Sequence, residues 1–464
     1  MERNVDWNIN TSVNSIAWPP LPATSGAARL AVLFQLEQSQ WWSEEKIRQH
    51  QFLQLVPLLK HSASHVPYYQ DKLKGLPLSS PLTEEQWSSI PILTRDMVQK
   101  SGDQLRATAI PKSHGKLSKQ FTSGSTGKPV EVLGTDITAF FWNVFTLRDH
   151  LWHGRTLDNK LAVIRRTLDE RAKAPHGMPS KNWGRATAGM VTTGPTSLLS
   201  IFTPVSEQVK WLIKEQPDSL LTNPSVLQDL AFYCKREGID IPSLKEVRTI
   251  SEALPEGLRE LCDEVWGAKL VDVYSSIELG YLAMQCPKHE HYHVQSEGVL
   301  VEVLDENNKP CSPGEVGKIV ITNLHNYATP LIRYELGDYV EVGEPCDCGR
   351  GLPVIKKIQG RYRGMITLPS GERSWPDVGL VKLQDIAPIE QFQLVQKSLQ
   401  DIVVKLVLPR PMKEEEKQTL TELFHQTLRH PFNITFEQLD DIPRSPGGKY
   451  EEFISELESA PKVK

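Results

Sequence analysis

Long apolar runs are missing from this chain of 464 residues. No stretch approaches the roughly 20 consecutive apolar residues of a membrane-spanning helix, so no membrane partner is expected. The first ten residues, Met1 to Asn10, are charged and polar, which argues against a secretory leader. Cysteine is scarce. Six in a chain this long do not make a disulfide framework, and reduced thiols in a cytoplasmic protein are expected. An excess of one charge is also lacking: 52 basic and 57 acidic residues leave a net charge of −5. There is no basic block to grip nucleic acid and no single-sign tail. Internal repeats and low-complexity segments are absent.

What is there is a globular composition, 39% apolar and 23% charged, long enough for two or three domains. Apolar spacing predicts two helices between Ala27 and Lys60, with Leu30, Leu33, Phe34 and Leu36 in one and Ile47, Phe52, Leu55 and Leu58 in the other. Thr94 reads as an N-cap. Residues 135–153 read as an amphipathic helix with Phe140, Phe141, Trp142 and Phe145 on its apolar side. Residues 246–276 alternate strand, helix, strand, which argues for a parallel sheet covered on both faces. From Gly298 the pattern changes to short strands separated by Gly and Pro, expected to be antiparallel. Residues 360–369 read as a joint. Beyond it lie a strand pair, a helix and a further strand, a small α+β unit. The expected class is α/β: residues 1–362 as a large domain of parallel sheets with an antiparallel β subdomain, and residues 363–464 as a small mobile domain.

Phe121 to Val130 reads Phe-Thr-Ser-Gly-Ser-Thr-Gly-Lys-Pro-Val. Its glycines let backbone N–H groups turn inward, its hydroxyls add donors, and Lys128 adds a mobile positive charge. That is the chemistry of a polyphosphate-binding loop. It is not a Walker A loop, which needs four residues between its glycines and a Ser or Thr after the lysine. Two thiols one residue apart, Cys346 and Cys348, together with Cys286-Pro-Lys-His289, can supply four tetrahedral zinc ligands. Knuckle spacing favours His289 as the nitrogen ligand, with His293 as its rival. Such a zinc site would be structural.

The stretch Ser123-Gly124-Ser125-Thr126-Gly127-Lys128-Pro129 resembles the phosphate loop of the adenylate-forming enzymes: acyl-CoA ligases, luciferases and peptide-synthetase adenylation domains. Five further segments match that family's pattern in order. Ser251-Glu252-Ala253 stands where the family places an adenine-binding turn, usually Gly-Glu or Gly-Ala. Asp272-Val-Tyr274-Ser275-Ser276-Ile-Glu278 is similar to the Tyr-Gly-x-Thr-Glu segment, in which the tyrosine flanks adenine and the glutamate holds Mg²⁺. Ser275 and Ile277 depart from it. Arg333-Tyr-Glu-Leu-Gly-Asp338 matches Arg-Tyr-x-x-Gly-Asp, whose aspartate accepts from the ribose hydroxyls. Gly360-Arg361 matches the hinge, with Tyr362-Arg363 in place of an acidic pair. Pro443-Arg-Ser-Pro-Gly-Gly-Lys449 matches the C-terminal lysine loop.

With Ser64-His-Val-Pro-Tyr-Tyr69, the Cys/His set and a length short for the superfamily, the fit is best with phenylacetate–CoA ligases and their coenzyme F390 synthetase-like relatives. The resemblance implies a catalytic set of Lys449, Glu278 and Arg333. It implies that a small, aromatic or similar-sized carboxylic acid reacts with ATP and Mg²⁺ to an acyl-adenylate. The acyl group then passes to coenzyme A. An amine or a carrier-protein thiol is the alternative acceptor, and a non-catalytic nucleotide-binding relative is a third reading. A homodimer is compatible with the resemblance.

Overall fold

The computed structural model describes residues 7–121, 130–361, 364–376, 378–445 and 448–457. Helix boundaries follow the sequence closely. The two N-terminal helices run Thr24–Ser39 and Glu44–His65, and Ser43 caps the second by accepting from the Lys46 N–H. Thr94 caps Arg95–Ser101 in the same way. Thr135 and Thr138 exchange hydrogen bonds at the start of the aromatic helix Asp136–Trp152. Each cap satisfies an N–H that has no partner inside its helix.

The parallel and antiparallel parts form one twelve-stranded sheet. Its parallel section consists of Lys269–Ser276, Glu246–Ile250, Ser219–Thr222, Leu161–Arg165 and Thr196–Ser200, in that spatial order. Ser219–Thr222 and most of Lys269–Ser276 and Leu161–Arg165 are buried on both faces, as a covered parallel sheet requires, while Glu246–Ile250 and Thr196–Ser200 alternate buried and half-buried residues. At Ser276 the chain turns back, and Gly280–Gln285 pairs antiparallel with Lys269–Ser276. That reversal joins the two sections, so the antiparallel strands extend the sheet and do not form a detached subdomain. Tyr292–Val294, Val354–Arg361, Tyr334–Val342, Val316–Asn323 and Val299–Leu304 continue to the far edge, and Met178–Ser180, antiparallel to Thr196–Ser200, forms the opposite one.

The C-terminal unit has its own four-stranded sheet, ordered Asn433–Leu439, Asp401–Val407, Gln391–Gln396, Phe453–Ser455. The helix Glu414–Thr427 packs on it through Leu420 and Phe424. Its core is continuous with the helices Pro224–Glu237 and Leu258–Trp266 of the large unit. The interface between the two units is therefore packed, and a cavity opens beside it.

Candidate active site

A cavity of about 970 Å³ lies beyond the carboxyl ends of the parallel strands, where open α/β sheets place their ligands. Strand ends and turns bring separated residues to its wall. Ser251, Glu252 and Ala253 follow Glu246–Ile250; Tyr274, Ser275 and Ser276 end the next strand; Glu278 sits in the turn after it. Asp338, Arg361 and Lys449 line the same space.

Asp338 stands opposite Arg361 in the pairing of Tyr334–Val342 with Val354–Arg361. Arg361 Nε donates to Asp338 Oδ1 at 3.2 Å, and the Tyr274 hydroxyl donates to Oδ2 at 2.8 Å. The preceding Gly337 has φ +90°, a conformation that disfavours side chains and that aims the next carboxylate into the cavity. A carboxylate held from two sides keeps lone pairs for a diol.

Glu252 forms a junction. Its carboxylate accepts from Asn223 Nδ2 at 3.2 Å and the Ser225 N–H at 3.1 Å, both in the large unit. It also accepts from the Tyr450 N–H of the C-terminal unit at 3.4 Å. Ser251 before it adopts φ +79°, a glycine-like conformation, at the position where the resembled family usually has glycine.

Glu278 is 8% exposed. Burial raises its carboxyl above the ordinary range, and Arg95 and Arg361 pull it back. Arg95 lines the cavity beside it and went unnoticed in the sequence, where only its place at a helix start was legible. Burial, then the Arg361 charge, pull the Lys449 ammonium below its ordinary value, while Asp338, Glu252 and Glu278 oppose that shift. Lys449 follows Gly448, whose φ is +77°, and its N–H donates to Ser445 Oγ at 3.2 Å.

Asp272 reaches the wall, but its carboxylate accepts from Thr249 Oγ1 at 2.5 Å and the Tyr292 hydroxyl at 2.8 Å. Arg333 is not brought to the cavity. It is 3% exposed, with φ +49°, and forms a two-pronged pair with Glu302 at 3.1 and 2.9 Å. It also donates to the Ser88 and Ile90 carbonyls at 2.6 Å. Its donors are engaged in tying a loop to the sheet, not in facing a ligand. The expected phosphate-binding residues Ser123, Gly124, Ser125, Thr126, Gly127 and Lys128 lie outside the described residues. Phe121, next to them, lines the cavity.

Cys286, His293, Cys346 and Cys348 converge, with their ligand atoms within 4.8 Å of one another. Cys286 and Cys346 sulfurs are 3.9 Å apart, and Cys348 Sγ is 3.4 Å from His293 Nε2. The His293 Nδ1 lies 3.3 Å from the Leu352 carbonyl, which turns Nε2 toward the thiols. His289, favoured by spacing, instead faces Asp347 at 2.5 Å and can join only a second group with Cys346 and Asp347. Three thiols and one imidazole in a closed set suit a tetrahedral ion.

Residues 381–456 match the family model described as the CapK C-terminal domain. A phenylacetate-coenzyme A ligase of Thermus thermophilus is 26% identical over 371 residues, covering 71% of this chain and 78% of that protein. Protein CapK of Staphylococcus aureus is 23% identical over 409 residues, covering 82% and 83%. A crystal structure of 2-hydroxyisobutyryl-CoA ligase in the postadenylation state superposes with TM-score 0.68 at 18% identity, covering 88% of this chain and 89% of that one. The chain thus has the fold of the adenylate-forming enzymes, and the proteins it is similar to in sequence are phenylacetate–CoA ligases and CapK.

Proposed function

We propose that the protein activates a carboxylic acid with ATP as an acyl-adenylate and transfers the acyl group to the thiol of coenzyme A. The observation that carries this reading is the meeting of Lys449 with Asp338, Tyr274, Arg361 and Glu278 around one cavity. The lysine comes from one unit and the other four residues from the other. The similarity to phenylacetate-coenzyme A ligases supports it.

In the first step a carboxylate oxygen attacks the α-phosphorus of ATP and pyrophosphate leaves. Asp338, held by Tyr274 and Arg361, takes the ribose hydroxyls. Lys449 bridges the attacking carboxylate and the α-phosphate, where negative charge gathers, so its contribution is positioning and electrostatic. Glu278 is the carboxylate that would hold Mg²⁺, and such an ion would shield the charge of the leaving pyrophosphate. Ser251, Glu252 and Ala253 form the wall for the base, and the loop at 123–128 holds the outer phosphates. Arg333 acts at a distance, by fixing the segment that ends in Asp338. In the second step the thiol attacks the acyl carbon and AMP leaves. A zinc ion held by Cys286, His293, Cys346 and Cys348 would be structural.

The test is acid-dependent exchange of pyrophosphate into ATP, followed by thioester formation with coenzyme A. Lys449→Ala is expected to abolish exchange and to spare thiolysis of a supplied acyl-adenylate. Equal loss of both half-reactions refutes the role of Lys449. Adenylation followed by amide formation alone would replace coenzyme A with an amine acceptor.

A further inference from the structure

Neither the segment Ser64-His-Val-Pro-Tyr-Tyr69 nor Arg333 lines the cavity, yet the two meet in one brace. Tyr69 is 2% exposed. Its hydroxyl donates to the Pro330 carbonyl and accepts from the Ile332 N–H, both at 3.1 Å. That fixes the turn leading into Arg333. The Arg333 guanidinium then reaches across to the Ser88 and Ile90 carbonyls. Three residues on, Leu93 joins the strand Tyr334–Val342 as a short parallel rung. Its N–H donates to the Arg333 carbonyl and its carbonyl accepts from the Glu335 N–H, both at 2.9 Å. Thr94 caps the helix that follows, and the first residue of that helix is Arg95.

Apolar packing by Trp87, Ile90 and Leu93 already closes the core here. The polar bonds add register, because they decide which side chain follows Leu93 into the cavity. That side chain is Arg95, which shares the wall with Glu278 and with Phe121, after which the hydroxyl-rich loop begins. The charge of Arg95 acts on the Glu278 carboxylate and on the Tyr334 phenol. In the ligase reading Asp338 takes the ribose and Lys449 the α-phosphate, so Glu278 and its neighbour Arg95 mark the outer-phosphate end.

We propose that Arg95 is a catalytic residue that binds the outer phosphates of ATP, and that Tyr69 and Arg333 are the positioning residues that hold its segment in register. The fork of a guanidinium donates two parallel N–H groups to phosphate oxygens. Negative charge on those oxygens grows as pyrophosphate leaves, so the contact strengthens along the reaction. A side chain whose backbone is tied down on both flanks loses less freedom on binding. This inference deepens the ligase reading above and rests on it.

Binding of AMP and of ATP is measured by titration calorimetry with Mg²⁺, and with neither acid nor coenzyme A present, so that the two ligands differ only in their outer phosphates. Arg95→Gln is expected to weaken ATP about tenfold to a hundredfold and AMP by less than about threefold, and Arg95→Lys to recover part of the loss. Arg333→Lys is expected to weaken ATP relative to AMP in the wild-type background but not in Arg95→Gln, because it acts through that side chain. Tyr69→Phe, which removes one hydroxyl, makes the same test if Arg333→Lys folds poorly. Equal weakening of both nucleotides by Arg95→Gln overturns the phosphate role. No change in either overturns it too, and leaves Arg95 as a counter-charge for Glu278 alone. Additive effects of Arg333→Lys and Arg95→Gln overturn the brace. Failure of wild-type protein to bind either nucleotide refutes the ligase reading itself, and this proposal with it.

Discussion

Arg444 of the C-terminal unit donates from Nη2 to Asp229 at 2.6 Å and from Nη1 to Ser225 Oγ at 2.5 Å, on the first two turns of the helix Pro224–Glu237. It lies five residues before Lys449, so this contact carries the lysine loop to the cavity. Arg444→Ala leaves Asp229 without its cation in a packed interface, a loss of roughly 2–5 kcal/mol for such pairs. If all of it is lost from the transition state, acyl-adenylate formation is expected to fall between about thirtyfold and several thousandfold. Under the role proposed for Lys449, thiolysis of a supplied adenylate should change little. Parallel kinetics of the two half-reactions check this, and a matched decline in both contradicts it.

The same interface holds acids that resist ionising. Burial, then Glu252, raise the Glu452 carboxyl to about 7, and burial raises Asp229 to about 6 against the pull of Arg444. Both folded values lie above the ordinary ones, so the docked arrangement binds protons more tightly than the undocked one. Docking is therefore strongest at acid pH and weakens as pH rises through about 6 and then about 7. Thermal midpoints across that range should fall with rising pH, and Glu452→Gln should flatten the upper part of the slope. A profile that Glu452→Gln leaves unchanged would exclude this origin.

Much of this arrangement was legible in the chain. Thr94 and Thr135 mark helix starts because a hydroxyl before an apolar periodic run has one favoured use. Asp338, Glu278 and Lys449 were picked out by short motifs that keep their order along the sequence, and all three line the cavity. What stayed hidden depends on partners far apart in the chain. Spacing favoured His289, but the strand Tyr292–Val294 pairs His293 with Val354 and so places it beside Cys348. Arg333 read as catalytic from its motif, and its Glu302 partner could not be inferred from pattern. The joining of the antiparallel strands beyond Gly280 to the parallel section depends on the reversal at Ser276, which periodicity does not report.

Ser251 offers a test of backbone strain. An L-residue in a left-handed conformation is disfavoured by about 1–2 kcal/mol. Glycine removes that strain but loses more chain freedom on folding, about 0.5–1 kcal/mol. Ser251→Gly should therefore stabilise by up to about 1 kcal/mol in chemical denaturation, and Ser251→Val should destabilise. A less stable glycine variant would mean that the serine side chain contributes more than its backbone conformation costs.

Purified protein is expected to carry about one zinc per chain, held by three thiols and an imidazole. Cys346→Ser or His293→Ala should remove most of it and lower the thermal midpoint, while His289→Ala should retain it. Elemental analysis with a thermal scan checks all three. Metal content indifferent to Cys346→Ser would refute the site.

Cys346 and Cys348 lie in the connection between Tyr334–Val342 and Val354–Arg361, and the opposite end of that ribbon carries Asp338 across from Arg361. A slip of one rung in a β-ribbon turns every side chain to the other surface. A metal held at the bend would therefore fix which rung Arg361 occupies, from outside the cavity. Stripping the fastener should show itself first as weakened ribose recognition, before the sheet melts.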